Sequence, residues 1–157
     1  MKRALLFCVV LAVMGTTAAS AGGAPGKACK AGIHKIGKTT YRVFCGPASA
    51  SITVAGKKHS FRSGSCLKIG STKVFALAIG KLAITKTRAR YSYLSVTIPL
   101  ARRDGLYRGA TVAWAYGGKR HLLSNSRVKL AGKRTRGTFS GRLAGRKNAV
   151  TGSFRCK

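Results

Sequence analysis

A single carboxylate side chain, Asp104, faces 31 lysines and arginines in this chain of 157 residues, giving a formal net charge of +30. A compact state that concentrates so much like charge is destabilised by self-repulsion. One acid cannot build ion-pair networks against it, so an apolar core and covalent cross-links must hold the fold. The same imbalance excludes much chemistry. Paired carboxylates for acid–base catalysis, carboxylate metal ligands and Ser-His-Asp triads all need acids that the chain lacks. No enzyme and no cofactor are therefore expected. A polycation attracts polyanions, so the expected partner is an anionic polymer or surface: cell-wall polymer, nucleic acid or anionic lipid.

Residues 1–21 carry the marks of an export signal. Lys2 and Arg3 precede an apolar run from Ala4 to Met14, and Ala19-Ser20-Ala21 reads as an A-x-A cleavage site. The run is shorter than the about 20 apolar residues a membrane span needs, and no later segment reaches that length. Cys8 falls inside the signal. Four cysteines follow it, Cys29, Cys45, Cys66 and Cys156, and an even number in an exported chain predicts two disulfides. Three pairings are possible. Cys29–Cys45, a short local loop, and Cys66–Cys156, which would tie the last strand to an early one, are favoured. On a chain-entropy argument they contribute about 3 and about 4–5 kcal/mol. A zinc site helped by His34, His59 or His121 is the rival reading, but no C-x-x-C or H-x-x-H spacing supports it. The predicted destination is the cell envelope or the exterior.

Period-two alternation recurs along the chain, punctuated by Gly and Ser, and no long helical stripe appears. The prediction is all-β: an antiparallel sandwich or small barrel of eight or nine short strands, closed by disulfides. Residues 39–157 form the single domain, preceded by a flexible basic arm over 22–38 that only Cys29 ties down. At the C-terminus Val150, Gly152, Phe154 and Cys156 alternate with Thr151, Ser153 and Arg155, so Cys156 points inward. The stretch 136–143 behaves alike, with Phe139 and Leu143 opposite Arg136, Thr138, Ser140 and Arg142, and the two make a hairpin. Other strands are predicted over 39–45, 51–55 with 58–62 across Gly56, 73–79, 90–98, 111–116, and 121–130 across Gly117-Gly118. Residues 102–108 read as a turn after Pro99, in which Asp104 caps the turn or pairs with a neighbouring Arg.

Two clusters of charge are candidate polyanion sites. Lys86, Arg88 and Arg90 alternate into Tyr91 and Tyr93, a row of cations beside aromatic rings that suits a phosphate backbone with stacking bases. Arg127, Lys129, Lys133, Arg134, Arg136 and Arg142 could form a second stripe on the outer faces of adjacent strands. Strand exteriors also carry Lys and Arg simply to prevent edge pairing. Trp114, with Val112 and Tyr116 at period two, reads as the core of a central strand. Gly117-Gly118 is a turn, since neither phosphate-binding glycine motif occurs. The alternative class is a secreted cationic effector, either membrane-active or a ribonuclease using two of the three scattered histidines with a lysine.

Residues 52–156 resemble the LpqH-like domain of mycobacterial surface lipoproteins and related secreted actinobacterial proteins. Val54-Ala55-Gly56 before a hairpin, Gly64-Ser65-Cys66, Ile79-Gly80, Phe139-Ser140-Gly141 and Gly152-Ser153-Phe154-Arg155-Cys156 carry the likeness in that order. The resemblance implies an extracytoplasmic β-rich domain closed by a Cys66–Cys156 disulfide. This chain departs from it in lacking the lipidated cysteine, in adding Cys29 and Cys45, and in its basicity.

Overall fold

The computed structural model describes residues 29–69, 73–85 and 91–157. The expected export signal over 1–21, the start of the arm and the cations Lys86, Arg88 and Arg90 lie outside them. Alternation is translated into strands almost everywhere it was read. These are β2 (Thr39–Val43), β3 (Ser49–Val54), β4 (Lys57–Arg62), β6 (Val74–Ala83), β7 (Ser92–Ile98), β9 (Thr111–Tyr116), β10 (Lys119–Ala131), β11 (Arg136–Leu143) and β12 (Ala149–Arg155). Three strands lie where none was expected: β1 (Gly32–Ile36), β5 (Gly64–Ile69) and β8 (Gly105–Arg108).

Two of the three, β1 and β8, correct a prediction, and each has a physical reason. Gly32–Ile36, read as part of a flexible arm, pairs along its length with β2. It buries neither face, so it leaves no amphipathic signal in the sequence. Gly105–Arg108, read as turn, pairs with β10. β5 follows β4 after Ser63 alone, which takes a positive φ of 64° and lets the chain reverse onto β6.

All twelve strands join one antiparallel sheet, in the order β1-β2-β6-β7-β9-β10-β11-β12-β3-β4, with β5 added to β6 and β8 to β10. The path is open, ending at β1 and β4, and is not closed as a barrel. β10 carries it from one half to the other. Lys119–Leu122 pairs with β9, and the later residues pair with β11 and β8, across a register break between Ser124 and Arg127. Such a bulge bends a strand and raises its twist, and Asn125 takes it up with a φ of 49°. Gly117 and Gly118, with φ of 58° and 80°, provide the left-handed pair that a two-residue hairpin turn needs between β9 and β10.

The bend lets both halves bury one core. Phe75 on β6 stacks on Phe154 on β12 with ring centroids 5.6 Å apart, among Ile52, Leu77, Leu94, Val96, Val112, Val128 and Val150. Each fully buried side chain of this size contributes about 1.5–3 kcal/mol. Trp114 lies in this core on a strand flanked by β7 and β9's other neighbour β10, as its spacing implied. A smaller cluster of Tyr41, Ala83, Tyr91 and Ala115 forms on the opposite faces of β7 and β9. Both expected disulfides are present, Cys29–Cys45 and Cys66–Cys156, with Cα atoms 5.8 and 5.5 Å apart.

Large residues are matched to glycines across β11 and β12. Phe139 faces Gly152, and Gly137 faces Phe154. A Cβ on Gly152 would run into the Phe139 ring and the Ser51 carbonyl. Gly152→Ala is therefore expected to lower stability by about 1–3 kcal/mol through overpacking, read as a lower urea midpoint. A shift within error would show that Phe139 can move aside.

Candidate polyanion-binding face

The site is built by sheet register. β8, the second half of β10, β11, β12, β3 and β4 lie side by side. Residues directly opposite one another on such strands share a face. One row across the six strands reads Arg108, Arg127, Ser140, Thr151, Thr53 and Lys58. The next reads Leu106, Lys129, Thr138, Ser153, Ser51 and Ser60. A third runs Ala131, Arg136, Arg155, Ser49 and Arg62. The inward positions between them, among them Val128, Phe139, Ile52, Leu130 and Phe154, are buried, so these rows face solvent.

The result is a floor of serine and threonine hydroxyls with cations along its margins. Neighbouring strands are about 4.8 Å apart and alternate residues about 6.8 Å apart, so the rows span about 24 Å. Ser51 and Ser153 hydroxyls stand 3.3 Å from each other near the centre. A depression of about 640 Å³ follows the first two rows from Arg127 and Lys129 to Lys58. The row spacing is below the Debye length of about 8 Å at physiological salt, so neighbouring cations present a joint field.

None of the three rows contains an acidic side chain. Asp104 precedes β8 at the margin, where Lys133 and Arg134 donate their backbone N–H groups to its two oxygens at 2.9 and 2.6 Å. Both residues have positive φ, 57° and 61°, and their successive amides form an anion-binding nest. The reading of Asp104 as a cap of its own turn or an Arg partner is thus corrected. It clamps the distant β10–β11 turn, where two successive amides converge on its carboxylate.

The second predicted stripe is partly realised. Arg127, Lys129, Arg136 and Arg142 are exposed on outward positions of β10 and β11. Lys133 and Arg134 sit in the connecting turn instead, and the Arg134 guanidinium donates to the Ala101 carbonyl at 2.7 Å, a structural use. Of the first predicted row, the cations lie outside the described residues. Tyr91 is buried in the smaller cluster, with the Arg120 guanidinium 5.7 Å from its ring centre, so it offers no open stacking surface. Tyr93 is half-buried, its ring centroid 5.7 Å from that of Phe44. Lys58, Arg62, Arg108, Arg155 and the hydroxyl rows were missed by sequence reasoning. Alternating Ser and Thr at 49, 51 and 53, at 138 and 140, and at 151 and 153 was the available signal, but only register aligns it.

The histidines are less scattered than their numbering. His121 stacks on Trp114 with centroids 5.2 Å apart, His59 meets Tyr116 in a tilted arrangement at 4.3 Å, and His34 on β1 meets the Lys30 carbonyl. Burial, then Arg146, Lys119 and His59, hold the His121 pKa below its ordinary value, which favours the neutral ring. The four cysteines are engaged in disulfides and so cannot be zinc ligands. Among the described residues no group of three or more His, Cys, Asp or Glu converges as a metal site. Nor is any helix of these residues long and apolar enough to cross a membrane. Comparison with protein-family models, curated proteins and solved structures gives no match in any of the three.

Proposed function

We propose that this is an exported, non-enzymatic protein of the cell envelope or exterior that binds anionic polymers electrostatically through the outer face of β8, β10, β11, β12, β3 and β4. The observation that carries the reading is the alignment of cations and hydroxyls in register on one face, whose three rows contain no acidic side chain. Charges hold a polyanion's backbone at any sequence, and hydroxyls, each both donor and acceptor, satisfy the oxygens between them. Two disulfides fit an oxidising compartment. The charged start and apolar run of residues 1–21, and the resemblance to the LpqH-like domain, support the same destination.

A salt-titrated binding panel tests it, using DNA, RNA, a teichoic-type polymer and anionic vesicles against the purified protein. Affinity should fall linearly in log–log form as salt rises, with little dependence on base sequence. Salt-insensitive binding would reject the electrostatic mechanism.

A further inference from the structure

The cationic face continues around edge strand β4 into a feature of different chemistry. Ser51, Lys58 and Ser153 line both the main depression and a smaller one beside it, and Ser60, Phe61 and Arg62 connect that one to a groove of about 730 Å³. The groove lies where β4 approaches β6 and β7 without pairing, so the open end of the sheet path forms its wall. Rings that the face lacks are found here: Phe44 and Tyr116 line the groove together with the cations Arg62 and Lys81. Tyr116 is 50 % exposed and is braced from one side by His59, its ring centroid 4.3 Å away.

Resting on the polyanion reading above, we propose that this groove seats a base of single-stranded nucleic acid whose neighbouring phosphates lie on Arg62 and Lys81 and whose backbone continues onto the hydroxylated face. Open aromatic surface beside cations is the combination single strands use, since every unpaired base has a free π-face while a duplex keeps its bases stacked inside. A bare polyphosphate or a glycan phosphate has the charge but no flat heteroaromatic ring to place there. Buried Tyr91 lines the same groove, but the open ring there is Tyr116 on β9, with Arg62 on β4 and Lys81 on β6 as its cations.

The test compares a labelled single-stranded DNA of about 12 nucleotides, the same length of duplex, inorganic polyphosphate and phosphatidylglycerol vesicles, for the wild-type protein and for Tyr116→Ala and Tyr116→Phe. The wild type should prefer the single strand to the duplex at matched salt. Tyr116→Ala should weaken the single strand by at least about fivefold, the lower bound for loss of one stacked base, and leave duplex and polyphosphate within about twofold. Tyr116→Phe should retain wild-type affinity, which separates stacking from a general loss of structure. Equal weakening for all probes, no weakening for the single strand, or an effect confined to vesicles would overturn the assignment of the groove. Binding that ignores salt for every probe would remove the electrostatic reading of the face and this inference with it, whatever Tyr116 does.

Discussion

Replacing Cys66 and Cys156 together by Ser is expected to cost about 4–5 kcal/mol, the loop-closure entropy of a long cross-link. The bridge spans a sequence separation of 90 and ties β5 to the chain end beyond β12, while both half-cystines pack against the main core. Domains are stable by about 5–15 kcal/mol in total, and this one belongs to a chain with a formal net charge of +30. The variant should therefore be partly unfolded in low salt and recover structure as salt screens the repulsion. Circular dichroism with urea titration at two salt concentrations checks both statements. A loss below about 1 kcal/mol would mean that the apolar core alone sustains the fold. The Cys29–Cys45 bridge, with a separation of 16, should matter less, at about 3 kcal/mol or under. It secures β1 and β2 at one end of the sheet path, where opening costs least.

The second large effect concerns binding. Changing Lys58, Arg127, Lys129 and Arg155 to Ser removes cations from all three rows at once. If each meets a phosphate, the salt slope on duplex DNA should fall by up to about four times 0.9, and affinity at low salt should fall by orders of magnitude. Lys30, Lys35, Lys73 and Lys119 are also exposed but lie off this face. Changing these four should cost far less, although the net charge is reduced equally. Salt-titrated fluorescence anisotropy on both quadruple variants decides the matter. Equal losses would mean that the charge acts as a diffuse field with no defined surface.

Several elements of the fold were legible because side-chain alternation is a local property. The β11–β12 hairpin was readable from Phe139 and Leu143 opposite Arg136, Thr138, Ser140 and Arg142, and from Val150 and Phe154 opposite Thr151, Ser153 and Arg155. The β3–β4 and β9–β10 hairpins followed from Ala55-Gly56 and Gly117-Gly118, which take the left-handed backbone their turns require. Trp114 announced a central strand by its size. β1 was illegible because GIHKI buries neither face, and β8 because four residues are too short to alternate convincingly. Asp104 could not be assigned because its partners are amides 29 and 30 residues away.

The sequence by itself determined the sign and density of charge, the antiparallel β class and the even number of cysteines available for cross-linking. These depend on composition and on neighbours two residues apart. Only the tertiary structure decided which charges act together. Register places Arg127 beside Ser140 and, three strands further on, Thr53 beside Lys58, although β3 and β12 are separated by most of the chain. The bulge in β10 turns the sheet so that two halves share one core, and the open path leaves β4 beside β6 and β7. Alternation says which face of a strand a residue occupies, but strand order says whose residues share that face, and strand order is set by burying the common core.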